Sequence, residues 1–271
     1  TRYWRDWSSD VCSSDLGDAT VPPVESPIAN DVRVHDGSWL FVHVPKCGGS
    51  SVLRAIRETH PEPSGLELNG DHLVAKNAIL ERVADRLSQA RVVYGHRVFA
   101  GLRRLMPRPA RMVTVLRHPI DRAISHYNFI LTRPSDRQRV LGALTHDDVR
   151  VPFKDWLAEF PPASNHLVWM LFHVLGDSPC VFDFFHRAGA EEHRIVSERL
   201  HEFTHVHFVE AGGVAVAIRD ITGLGPRMEN TNRRYAVDPA DPDARAAAAA
   251  ACPLDIAIYE QASREFPVPR P

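Results

Sequence analysis

Trp39-Leu40-Phe41-Val42-His43-Val44 runs directly into Pro45-Lys46-Cys47-Gly48-Gly49-Ser50-Ser51, after which Val52, Leu53 and Ile56 recur at helical spacing. The first run is short, apolar and rich in β-branched and aromatic side chains, which suits a strand buried on both faces. The glycines break that pattern, and the apolar residues after them share one helical face until His60-Pro61 ends it. The reading is strand, glycine loop, helix. Such a turn aims backbone N–H groups and the positive end of a helix at one point, a natural place for an anion.

The same grammar recurs outward from this stretch. Arg91-Val92-Val93-Tyr94 reads as a second strand ending at Gly95-His96, and Met112 to Leu116 as a third ending at Arg117. Pro119 opens a helix whose Ile120, Ile124, Tyr127 and Leu131 fall on one side. Residues 165–175 and 191–203 read as helices, and 206–209 as a later strand. Residues 243–266 read as a final helix, with six alanines from Ala246 as high-propensity filler and an interruption at Pro253. Strands alternating with helices imply an α/β fold with a mostly parallel central sheet flanked by helices.

Composition narrows the class. The 271 residues carry 32 Lys+Arg against 34 Asp+Glu, a net charge of -2, which argues against a surface devoted to nucleic acid. No uninterrupted apolar run reaches about 18 residues, so no membrane segment is expected. Cys12, Cys47, Cys180 and Cys252 lack paired spacing, which argues against a disulfide framework or zinc knuckle and points to a reducing compartment. Residues 1–16 have no clear period; they resemble a translated sequencing-library adapter and are read as a non-native artefact. Residues 17–36, with Pro22, Pro23 and Pro27, read as a linker, and 37–271 as a single domain. On this reading the natural N-terminus lies outside the chain, and the expected location is cytoplasmic.

The glycine loop departs from two familiar anion cradles. In a Walker loop the lysine follows the glycines; here Lys46 precedes them, and the third strand ends in Arg117 where an acid would help hold magnesium. A cysteine phosphatase needs an arginine six positions after its nucleophile, and that position is Leu53. Cys47 is therefore read as a small loop residue.

HVPKCGGSS resembles the HxPKxGG(S/T)(S/T) loop of sulfotransferases that use 3′-phosphoadenosine 5′-phosphosulfate (PAPS). Arg117-His118-Pro119-Ile120-Asp121-Arg122-Ala123-Ile124-Ser125-His126-Tyr127 resembles the same family's RxPxxRxxSxY element. The similarity is closest to the branch that includes heparan sulfate 2-O-sulfotransferase and spans roughly residues 39 to 131. Later similarity, at Val206 to Glu210 and Leu254 to Tyr259, is weaker. The resemblance implies a P-loop-like sulfotransferase fold and transfer of a sulfuryl group from PAPS, the co-substrate, to a hydroxyl acceptor, with no metal.

It also implies roles for particular residues. Gly48, Gly49, Ser50 and Ser51 would grip the 5′-phosphate, and Lys46 would stabilise charge on the leaving group. Arg117 and Ser125 would bind the 3′-phosphate, with Arg122 either assisting or solvated. His96 corresponds to the second histidine of the branch's His-Gly-His, where Tyr94 replaces the first, and is the expected general base. His43 is expected to support the loop. His201, His205 and His207 show no compelling metal-ligand spacing and are read as surface or packing residues.

Between Arg97 and Arg139 there are ten arginines, no lysine and two aspartates, Asp121 and Asp136, a net +8. That excess suits a doubly phosphorylated donor, with an anionic glycan as a candidate acceptor or a solvated helix face as the plainer explanation. Glu229-Asn230-Thr231-Asn232-Arg233-Arg234 is read as a turn or as a loop closing over the donor. A P-loop nucleotide kinase or NTPase, and a non-catalytic nucleotide-binding relative, are the alternatives.

Overall fold

The computed structural model describes residues 37–69, 75–181, 186–225 and 235–267. The expected artefact, the linker and the stretch Glu229 to Arg234 lie outside the described residues. The opening apolar run forms strand β1 (Ser38–Val42), buried throughout. Leu40 and Val42 join a core on one face of the sheet, and Trp39 and Phe41 join another on the opposite face. A strand covered on both sides has no polar face, which is why the run reads as continuously apolar.

β2 (Gly65–Glu67), β3 (Val92–Gly95), β4 (Ala110–Leu116) and β5 (His205–Phe208) complete a five-stranded sheet in the order β2-β3-β1-β4-β5. Every pairing is parallel, with Phe41 registered against Tyr94 on one side and Val113 on the other. Thr114, a hydroxyl inside this apolar sheet, is satisfied by donating to the Val42 carbonyl at 2.9 Å.

In chain order the helices are α1 (Gly49–Thr59), α2 (Lys76–Leu87), α3 (Pro119–Ile130), α4 (Ser135–Val140) and α5 (Phe153–Glu159). There follow α6 (His166–Leu175), α7 (Ala190–Arg199), α8 (Gly213–Thr222), α9 (Pro242–Ala251) and α10 (Pro253–Glu265). α1 and α8 cover the Trp39/Phe41 face, where Val52, Leu53 and Ile56 are fully buried. Each such side chain contributes up to about 1.5–3 kcal/mol. α2, α6, α7 and α10 cover the Leu40/Val42 face. α3, α5 and α9 close a third cluster around Tyr127, Trp156 and Ala248.

β1 lies between β3 and β4. The chain leaves β1 toward one sheet edge and leaves β4 toward the other, with the covering helices on opposite faces, as right-handed crossovers require. β1 and β4 thus flank the point where the strand order reverses, and the loops that follow them leave from the carboxyl end of the sheet.

The structure differs from the sequence expectations at several points. β1 ends at Val42, so His43 and Val44 belong to the loop, and Leu131 caps α3 instead of continuing it. The 191–203 helix ends at Arg199 in a 3₁₀ turn over Leu200–Glu202. The interruption expected at Pro253 is present: Pro253 opens α10 at its first turn, and Cys252 stands between α9 and α10 outside helical geometry. The three-residue β2 had no readable pattern.

Candidate active site

The loop after β1 is shaped by two close approaches. Gly48 has φ 76°, and a Cβ there would lie 2.5 Å from Val214 on α8. A Cβ on Gly49 would lie 2.0 Å from the His43 ring. Both positions therefore require glycine, one for its left-handed backbone and both for space. Gly48 and Ser50 are exposed at the positive end of α1, and the first turn of that helix carries no acidic residue. The Ser51 amide donates to the Gly48 carbonyl at 3.3 Å within the loop.

Lys46 holds φ 66°, an unusual conformation for a side-chain-bearing residue, of the kind found at functional turns. Its Nζ stands 3.9 Å from the centre of the Phe129 ring on α3, and the Arg133 guanidinium stands 4.0 Å from the same centre. One aromatic ring thus organises two cations beside the loop. Burial pushes the Cys47 thiol up to about 12, partly offset by Arg122 and the Arg117 backbone. It is a protonated packing group whose surroundings join the β1 and β4 loops.

His96 emerges from the end of β3, after Gly95. Gly95 has φ 129°, and a Cβ there would strike the Leu68 carbonyl and the Asn69 side chain, each at 2.6 Å. The His96 ring stacks on His43 at 4.1 Å, its Nδ1 lies 2.9 Å from the His43 carbonyl, and its backbone N–H donates to Asn69 at 2.8 Å. A carbonyl can only accept, so Nδ1 carries the proton and Nε2 is left with a lone pair. Burial pushes the His96 pKa down to about 4, against the opposing effect of that hydrogen bond. His96 is therefore neutral around pH 7. Tyr94 takes no part here: its hydroxyl turns to Glu67 and Arg57, and burial pushes its pKa up to about 12.

Arg117 and His118 form the turn from β4 into α3, both half-buried, and Ser125 lies two turns along α3, partly exposed. The His118 backbone N–H donates to Glu210 at 2.8 Å. Loop, Arg117 turn and His96 thus come together at one edge of the sheet, on neighbouring strands.

Arg122 is neither solvated nor on the surface. It is fully buried, and none of its guanidinium nitrogens has a hydrogen-bond partner. It bears electrostatically on Cys47, His126, His166 and Asp255. Arg97 is also buried, so the net +8 of that segment overstates the surface charge. His126 and His166 meet edge to face at 5.2 Å, and burial holds both well below the usual histidine range. Asp255 caps α6 by accepting from Leu167 and Val168 at 3.0 and 2.8 Å, while Asn165 accepts in return from Leu254 and Asp255. This reciprocal cap ties α6 to α10.

His126, His166, Asn69 and Glu210 were not singled out from the sequence. His126 had a signal, lying inside the second motif, and Glu210 had one as a carboxylate just past a strand end. His205 and His207 stack at 6.0 Å on β5, with His207 3.3 Å from Asp220. Among the described residues no group of three or more His, Cys, Asp or Glu is arranged to hold a metal ion, and no helix is long and apolar enough to cross a membrane.

No protein-family model matches the chain, and no curated protein matches it.

Proposed function

We propose that the chain is a PAPS-dependent O-sulfotransferase acting on a hydroxyl acceptor, with a carbohydrate hydroxyl as the favoured class, on a P-loop-like sulfotransferase fold. One observation carries the reading: a lysine-bearing glycine loop, an arginine turn and a neutral histidine converge at the carboxyl edge of a parallel sheet. The residues fit a doubly phosphorylated donor. Exposed loop glycine and serine at the start of α1 suit the 5′-phosphate, with no acidic residue in that turn to repel it. Arg117 supplies a fork for the 3′-phosphate and Ser125 a hydroxyl.

In the proposed transfer, the acceptor oxygen forms a bond to sulfur as the bond from sulfur to the bridging 5′-phosphate oxygen breaks. The acceptor proton passes to Nε2 of His96, and charge growing on the departing phosphate is met by Lys46. Arrangement supplies most of the rate, as in phosphoryl transfer. A pKa near 4 makes His96 a weak base in the free protein. An anionic donor beside the ring would raise it toward the useful range.

The test is transfer of labelled sulfate from PAPS to a panel of glycans and simple alcohols, with Lys46→Ala as the control. Wild-type product together with loss of turnover in the variant is expected. Absence of PAPS consumption with every acceptor, alongside hydrolysis of ATP, would contradict the proposal.

A further inference from the structure

Building on the reading of a 3′-phosphorylated donor, we propose that Glu210 is a positioning residue that sets the Arg117 turn for 3′-phosphate recognition, with Tyr259 holding it from α10. Glu210 lies in the 3₁₀ turn Val209–Ala211, directly after β5. Its Oε1 accepts the backbone N–H of His118 at 2.8 Å, and its Oε2 accepts the Tyr259 hydroxyl at 2.9 Å. The His118 ring meets Tyr259 edge-on at 5.3 Å, and Tyr259 in turn packs on Phe208 at 5.2 Å. The turn bearing Arg117 is therefore gripped by the amide and by the ring of the adjacent residue.

Charge alone argues against a carboxylate in this place. Glu210 opposes ionisation of the Cys47 thiol, so its field reaches the glycine loop, and there it would repel a polyanion. What it contributes is geometry. His118 is the N-cap of α3, and α3 has no side-chain cap of its own. A carboxylate accepting that N–H fixes where β4 ends and where the Arg117 side chain departs. The second oxygen is immobilised by Tyr259, so the grip does not depend on a free rotamer.

Calorimetry on the full chain with 3′-phosphoadenosine 5′-phosphate (PAP) and with AMP separates these contributions. Glu210→Ala is expected to weaken PAP binding about tenfold and leave AMP binding within about twofold, since one charge-assisted contact is at stake. Glu210→Gln keeps an oxygen for the His118 N–H and a group to meet Tyr259, and it removes a repelling charge. It is expected to match or exceed wild type toward PAP. An unchanged PAP/AMP ratio in Glu210→Ala overturns the proposal, and so does a loss in Glu210→Gln equal to that in the alanine variant. Should Glu210→Ala not fold, Tyr259→Phe carries the test: it is expected to lower the ratio several-fold, and no change refutes the proposal. A wild-type protein that binds PAP and AMP equally would instead refute the donor reading on which this rests.

Discussion

Lowering the pH toward 5.5 should destabilise this protein steeply, because four histidines are folded in the neutral form. Burial holds His43, His126 and His166 well below the ordinary value of 6.5 and pushes His96 down to about 4. In the unfolded chain each returns to about 6.5. Below that value the unfolded chain binds protons that the folded chain refuses, so stability falls as pH falls through the unfolded pKa. Asp255 works the other way: burial raises it to about 6 from 3.8, so the folded form takes up its proton first. Near pH 5.5 the difference is about three protons, or up to about 4 kcal/mol per pH unit. Integrated, the loss is about 1 kcal/mol from pH 7.5 to 6.5 and about 3 kcal/mol from 6.5 to 5.5. Total stabilities are typically about 5–15 kcal/mol. Urea unfolding followed by tryptophan fluorescence at these three pH values measures it. A total loss below about 1 kcal/mol would refute the claim that these rings are buried uncharged.

Other expectations concern the site directly. Lys46→Ala should reduce turnover far more than PAP affinity, and Phe129→Leu should do the same more mildly by releasing the ammonium; calorimetry beside turnover assays resolves the two. Cys47→Ser should keep turnover, and native Cys47 should resist alkylation at about pH 7.5 because its thiol stays protonated; rapid labelling by iodoacetamide would count against this. His96→Ala should lose about 10²–10⁴-fold in turnover with donor affinity little changed. Per folded molecule, the wild-type rate of the free enzyme should stay flat from about pH 7.5 to about 5.5, because burial pushes His96 down to about 4, and the donor complex should move its limb upward. A variant within about threefold of wild type removes His96 from the mechanism.

Much of the sheet was legible because β1 and β4 are buried on both faces and leave continuous apolar runs. β2 left none, since three residues at a sheet edge are too few for a period, and its register comes from pairing with β3. The glycine loop could be read because close packing against His43 and Val214 demands glycine, and that demand is written in the sequence. Arg122 could not be read. On helical spacing it shares a side with Ser125, yet packing of α3 against α9 and α10 closes over it, and nothing local in the sequence reports a tertiary cover. The altered basicity of His96 was invisible for the same reason. The sequence suggested a histidine near 6.5, and burial against His43 moves it to about 4.

The most direct test of the central claim is a calorimetric comparison of PAP, AMP and ATP, each with and without magnesium, on wild type and Arg117→Ala. PAP is expected to bind at least about tenfold more tightly than AMP, since at least one charge-assisted contact to the 3′-phosphate is made. Magnesium should leave this preference unchanged, and Arg117→Ala should erase it while AMP binding persists. Equal affinity for PAP and AMP, or a magnesium-dependent preference for ATP, would contradict a site built for a 3′-phosphorylated donor.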